Sequence, residues 1–253
     1  MNNNFSKQKF NNILDKLNIK KGDTVLVSSN ILNFILKEKN FRPERLIDYL
    51  KKKITSKGTL IFPTYSWDFC EKKSFDYNKT KTICGALSNI SLMRKDFKRT
   101  KNPIFSFSVF GSSKNILCKM PHSNCFSINS PFGYLIKKRA KHFFINLDYK
   151  EAMTFVHVAE QVEKVKYRYE KIFHGNYINK FKKTKKKKYK MFVRKKYVKA
   201  TFIDSKFDKI LKKNNAIKNE VLEKINFSII DIHKTFNLMR KEINKKSGLI
   251  KYV

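Results

Sequence analysis

Three residues spaced three apart, Thr154, His157 and Glu160, are the leading candidates for chemistry in this 253-residue chain. At that spacing they neighbour one another on one side of a helix. Phe155, Val158, Val162 and Val165 form the apolar stripe of the same helix, and His157 and Glu160 point well away from it. A carboxylate that orients an imidazole makes a general base, and a histidine near its ordinary pKa of about 6.5 suits that task at neutral pH. The same spacing also describes the solvated face of an amphipathic helix, so the triplet alone does not decide between the two.

The elements around the triplet must position it. A polar turn, Ser127 to Ser130, closes on Pro131-Phe132-Gly133, and the apolar run His142 to Leu147 predicts a buried strand just before the helix. Near the start, Asn3 to Leu17 has Phe10, Ile13, Leu14 and Leu17 at helical spacing. Thr24 to Val27 is a short strand ending at Ser28-Ser29-Asn30, and helices are expected over Ile31 to Glu38 and Arg42 to Ile54, the second with Pro43 in its first turn. Gly58 to Tyr65 reads as a turn and a buried strand. This alternation predicts an α/β layered fold with parallel neighbours. Ser28 and Ser29 then sit at a strand-to-helix junction, either as plain N-caps or where helix-start amides hold a phosphate or an oxyanion. Thr64, Tyr65 and Ser66 follow a strand's C-terminal end, the usual edge of a ligand crevice in such sheets.

Downstream, Tyr167 to Ile178 and Met191 to Val198 predict two strands with alternating aromatics, joined by Lys180 to Lys190 as a solvated loop. The tail reads as helix, strand, strand, helix over Phe207 to Lys213, Val221 to Ile225, Ser228 to Ile230 and Ile232 to Ile243. One domain is expected over 1–253, with 167–253 as a peripheral subdomain.

At 41% hydrophobic residues the chain can bury one large core. Its formal net charge of +37 favours anionic partners, unless it records the compositional bias of an AT-rich genome. Cys70, Cys84, Cys118 and Cys125 show neither a C-x-x-C pair nor metal-ligand spacing, so reduced thiols and no metal are expected. The first 17 residues lack the apolar core of a signal peptide, and no run approaches the ~18 apolar residues of a membrane span. A cytoplasmic protein without membrane insertion is the expectation.

Several motifs in order carry a resemblance. They are Gly58-Thr59-Leu60 through Pro63-Thr64-Tyr65-Ser66, then Phe75-Asp76 with Thr80, Thr82, Gly85 and Leu87. Next come Ser130-Pro131-Phe132-Gly133, Phe143 to Leu147, Thr154-Phe155-Val156-His157-Val158-Ala159-Glu160, and Tyr167-Arg168-Tyr169. Together they resemble the aminoglycoside 3-N-acetyltransferase family, with Thr82 in place of a usual Ser. The resemblance implies an α/β/α layered fold with a central mixed sheet, and acetyl-CoA or another acyl-CoA as donor to an amine. It implies His157 as catalytic base with Glu160 holding its tautomer. Ser28, Ser29, Thr80, Thr82 and Gly85 are expected around coenzyme A. Thr64, Tyr65, Asn102, Phe105, Ser106 and Thr154 are expected around the acceptor. A homodimer is allowed for.

One departure bears on the acceptor. The drug-modifying members usually carry His where this chain has Asn102, and an amide cannot act as a base, though it can orient a hydroxyl or phosphate. The form Asn102-Pro103-Ile104-Phe105-Ser106-Phe107 is similar to the branch that acylates nucleotide-linked amino sugars for surface polysaccharides. Charge agrees, because +37 repels polycationic drugs and attracts a nucleotide sugar and coenzyme A. The rival expectations are aminoglycoside 3-N-acetylation and, in a different class, nucleic-acid binding through Lys182 to Lys190.

Overall fold

Continuous burial along its central strands, covered on both faces, decides how this chain layers. The computed structural model describes residues 6–37, 41–196, 198 and 205–245. Asn3, Glu38 and Tyr197, each part of an expected element, lie outside them. In chain order the elements are α1 (Lys7–Lys16), β1 (Thr24–Ser29), α2 (Leu32–Lys37), α3 (Glu44–Ile54), β2 (Thr59–Tyr65), β3 (Phe75–Asp76) and α4 (Ala86–Met93). Then come β4 (Lys98–Arg99), β5 (Phe105–Gly111), α5 (Lys114–Lys119), α6 (Pro131–Lys137), β6 (Lys141–Ile145), α7 (Tyr149–Ala152) and α8 (Val156–Val162). The chain continues through β7 (Arg168–Ile178), β8 (Thr184–Arg194), α9 (Ser205–Lys213), β9 (Ile217–Leu222), β10 (Ile225–Asp231) and α10 (Ile232–Asn244).

Seven strands form the main sheet in the order β4-β5-β2-β1-β6-β10-β9. β1 runs parallel to both β2 and β6, while β5 and β10 flank this centre antiparallel. The sheet is therefore mixed, as expected. Successive side chains point to opposite faces of a strand. Val25 and Val27 of β1 and Phe143 and Ile145 of β6 face one core, shared with α1 and α3. Leu26 and Phe144 face the other, shared with α6, α8 and α10. No helix among the described residues is long and apolar enough to cross a membrane.

Three local expectations change. The Ser130-Pro131 turn is the start of α6: Ser130 is its N-cap and Pro131 fills the first turn, where its missing N–H costs nothing. Thr154 precedes α8 rather than sharing it. The lysine run is mostly strand, not loop, since β8 begins at Thr184 and pairs with β7 over its whole length. Asn179 closes that hairpin, its Oδ1 accepting from the Phe181 and Lys183 amides. The strand tolerates lysine because all its lysines are exposed and Tyr189 is its one buried residue. Lys186, Lys188 and Lys190 are exposed on one face, while Tyr177 and Tyr189 are buried in the core on the other.

Gly133 makes a close approach no other residue would tolerate: a Cβ there would lie 1.9 Å from the Ile128 carbonyl oxygen. Gly133→Ala is expected to cost about 1–3 kcal/mol through forced backbone movement. Urea denaturation measures it, and wild-type stability would mean that the 127–130 turn yields freely.

Candidate active site

His157 stands in the first turn of α8, with its Nδ1 2.6 Å from Glu160 Oε2. The carboxylate does not lie on a solvated face. Its side chain is only 3% exposed, because the start of β7 folds over it. Tyr167 Oη donates to Glu160 Oε1 at 2.8 Å, and Arg168 Nε lies 2.7 Å from Oε2. Burial alone would raise the Glu160 pKa. The hydrogen bond and charge of His157, the Arg168 guanidinium and the Tyr167 hydroxyl outweigh it and hold the carboxyl below its usual range. For His157, burial is the largest influence and Glu160 opposes it, with a net pKa below the ordinary histidine value. The ring is thus neutral at pH 7. An ionised Glu160 accepts from Nδ1–H, which leaves Nε2 as the basic nitrogen. The Phe126 ring meets the imidazole edge-to-face with centroids 4.9 Å apart.

His157 opens on a cavity of about 650 Å³. Around it the structure gathers Ser28 and Ser29 from the end of β1, Tyr65 from the end of β2, Gly85 before α4, Phe105 at the start of β5, and Thr154. These residues meet because the strand ends of a parallel centre fall on one edge of the sheet. Trp67, Ile83, Leu32 and Ile35 make its mouth apolar and stand exposed. Glu151 is the one carboxylate lining it among the described residues.

Five expected contacts do not reach this cavity, and their polar atoms are committed elsewhere. Thr64 Oγ1 bonds Ser106 Oγ at 2.8 Å, and Ser106 Oγ also accepts from Arg99 Nε at 3.0 Å, which ties β2 to β5. Thr80 Oγ1 accepts from the Asp76 amide at 2.8 Å. Thr82 Oγ1 donates to the Tyr65 carbonyl at 2.9 Å. Asn102 is 2% exposed: its Oδ1 accepts from the Ile104 and Phe105 amides, and its Nδ2 donates to the His122 carbonyl at 2.7 Å. Its amide shapes the backbone that carries Phe105 and is not presented to a ligand.

One participant carried no sequence signal. His142 lies 114 positions from Ser28, yet the parallel pairing of β1 with β6 sets its Nε2 2.9 Å from Ser28 Oγ. Burial pushes the His142 pKa down to about 3, so it stays neutral. Its Nδ1 has no partner. A buried unpaired acceptor is tolerated better than an orphaned N–H. The favoured tautomer therefore carries its proton on Nε2 and donates to Ser28 Oγ, which frees the serine's own proton for the cavity.

The residues present fit coenzyme A on local grounds. Gly85 has φ +91°, and a Cβ there would stand 3.3 Å from the Ser29 carbonyl oxygen, narrowing the gap between β1 and α4. No side chain caps α4, so its first-turn amides are left for a ligand beside the Ser28 and Ser29 hydroxyls. No group of three or more His, Cys, Asp or Glu suited to a metal occurs among the described residues.

Comparison with known proteins gives a consistent picture. The model of the aminoglycoside 3-N-acetyltransferase family matches residues 33–244. No curated protein sequence matches significantly. Among solved structures, the YokD protein from Bacillus subtilis is similar at 20% identity and TM-score 0.78, over 96% of this chain and 94% of that one. Aminoglycoside acetyltransferase AAC(3)-IVa, as apoenzyme, is 19% identical with TM-score 0.78, over 100% of this chain and 93% of that one. AAC-IIIb in binary complex with CoASH is 13% identical with TM-score 0.76, over 95% and 97%. At these identities the structures speak for the fold.

Proposed function

The chain belongs to the aminoglycoside 3-N-acetyltransferase family, whose members are acetyltransferases that use coenzyme A, and from that premise we propose that it acylates the amine of a nucleotide-linked amino sugar for surface polysaccharide. The observation that carries the catalytic part is the neutral His157, held by a buried, ionised Glu160 at the wall of the cavity. When bound, acyl-coenzyme A supplies an acyl group activated as a thioester. His157 Nε2 takes the proton that the acceptor amine sheds as its nitrogen replaces the thioester sulfur on the acyl carbon; the C–S bond breaks, and the leaving sulfur takes up that proton to depart as the free thiol. Glu160 stabilises the imidazolium so formed, and Arg168 and Tyr167 keep the carboxylate ionised and fixed. The Ser28 hydroxyl, with its proton turned to the cavity by His142, can donate to negative charge developing on the acyl oxygen.

The acceptor reading rests on charge. A polycationic aminoglycoside calls for several carboxylates, and among the described residues Glu151 is the one carboxylate lining the cavity of a chain at +37. A nucleotide diphosphate sugar carries the opposite sign. A thiol-release assay with acetyl-coenzyme A tests this. Release is expected with nucleotide-linked amino sugars and not with kanamycin or gentamicin; release with the drugs alone would overturn the acceptor assignment.

Two smaller effects follow from the site. His142→Phe is expected to lower kcat/KM by about 3- to 10-fold, the worth of one neutral hydrogen bond; unchanged kinetics would take the Ser28–His142 contact out of the mechanism. The His157 ring is expected to titrate below about pH 6.5, since burial outweighs its carboxylate partner. An NMR titration, assigned with His157→Gln, reads this directly. A midpoint at or above the ordinary value would show that Glu160 outweighs burial at the ring.

A further inference from the structure

Arg99, in the edge strand β4, carries a buried charge that no carboxylate balances. It is 5% exposed, and burial pushes its pKa down to about 10, which still leaves it charged at neutral pH. Among the described residues the arginine ion pairs are those of Arg94, Arg168 and Arg240, and Arg99 has none. A buried charge is costly unless its hydrogen bonds are made by the structure around it. Here backbone carbonyls supply most of them. Nη2 donates to the Thr64 carbonyl at 3.2 Å and Nη1 to the Thr80 carbonyl at 2.6 Å, while Nε donates to Ser106 Oγ at 3.0 Å. The guanidinium lies over the Phe75 ring, 4.7 Å from its centroid. Tyr77 Oη donates back to the Arg99 carbonyl at 2.5 Å. The two arms of one planar fork thus tie the end of β2 to the loop of residues 77–85.

Both segments end at the cavity, although Arg99 itself does not line it. Tyr65, next to Thr64, is part of the wall, and so are Ile83, Cys84 and Gly85 at the far end of the loop. Asn78, Lys79, Lys81 and Ile83 are exposed, and Thr82 is the loop's one buried residue. Past Thr80 the loop meets β2 at a single place. The Thr82 hydroxyl and the Ile83 amide both donate to the Tyr65 carbonyl, and the Tyr65 amide donates to Cys84 Sγ. An exposed loop with so few anchors opens easily, so the clamp at Thr80 sets where its last residues stand. We propose that Arg99 is the positioning residue of the donor half of the cleft: its fork fixes the 77–85 loop against β2, so that Gly85 and the first-turn amides of α4 are held in place for coenzyme A. This inference rests on the coenzyme A reading of the cleft. Lysine cannot substitute, because an ammonium is a point donor and does not reach two divergent carbonyls as a planar fork does.

The test compares Arg99→Met and Arg99→Lys with wild type by calorimetric titration of the full chain with coenzyme A. Arg99→Met should weaken binding by about tenfold or more, and Arg99→Lys by nearly as much. In steady-state thiol release the KM for acetyl-coenzyme A should rise in step, while kcat and the acceptor KM stay within about twofold. Hydrogen exchange reads the loop itself: the Ile83 amide, bonded to the Tyr65 carbonyl, should lose protection while the amides of β1 keep theirs. Tyr77→Phe keeps the test decisive if the arginine variants fold poorly; it removes only the return bond and should weaken coenzyme A by about 3- to 10-fold. Unchanged affinity in whichever of these variants folds would overturn the proposal. Full recovery in Arg99→Lys would also overturn it, leaving a charge effect in place of a fork. So would equal loss of kcat, acceptor binding and β1 protection, since a merely structural arginine loosens the whole fold. Wild-type protein that binds no coenzyme A would sink the donor reading of the cleft, whereas normal wild-type binding with an unaltered Ile83 amide in Arg99→Met would sink the clamp alone.

Discussion

Replacing His157 with Ala should lower kcat/KM by about 10²- to 10⁴-fold, the usual contribution of a positioned general base. That loss corresponds to about 3–5 kcal/mol of transition-state stabilisation. It should leave coenzyme A affinity unchanged, because the ring acts on the acceptor's proton and not on the donor. Thiol release under steady-state conditions and equilibrium binding of coenzyme A, measured on the same preparation, separate the two. His157→Gln serves as a second variant, since it refills the space beside Phe126 without restoring a base. Wild-type turnover in either variant would remove His157 from the mechanism. Parallel loss of coenzyme A binding would show a collapsed cavity instead.

Glu160→Ala should be the most destabilising change at the site, at about 3–5 kcal/mol, because it leaves Arg168 charged and largely buried without its partner. The Tyr167 hydroxyl loses its acceptor as well. Activity should fall with it, since nothing then selects the His157 tautomer. The pH dependence has a definite sign. The folded-state pKa of Glu160 lies below its ordinary 4.5, so its contribution is present above that value and is lost as pH falls through the folded value. His157, also depressed, favours the unfolded state as pH drops below about 6.5, where the unfolded ring takes up a proton first. Urea denaturation at pH 7 and pH 4 should therefore show the gap between wild type and Glu160→Gln narrowing in acid. A gap that stays constant would mean that the Glu160 carboxylate titrates alike in both states.

Much of the architecture was legible along the chain. The apolar runs at Val25, Leu60 and Phe143 became β1, β2 and β6, because continuous hydrophobicity marks strands covered on both faces. The His157–Glu160 pair was legible too, since the helix period brings residues three apart together whatever surrounds them. The motifs around Gly58, Ser130 and Thr154 sufficed for the family. The rest required strand register and chain return, which local spacing does not encode. Glu160 is buried because Tyr167 and Arg168 come back over it. Asn102 is spent on backbone because its loop closes against His122. The lysines after Lys183 are strand because β8 pairs with β7 residue by residue, with Tyr177 of β7 and Tyr189 of β8 anchored in the core. Ser28 meets His142 only because β1 and β6 pair in parallel at that register, where a shift of one residue would turn the imidazole to the opposite face. Residue types and local periodicity thus determined which groups could react. Sheet order and register decided which of them face the cavity, which are buried as support, and which protonation states they hold.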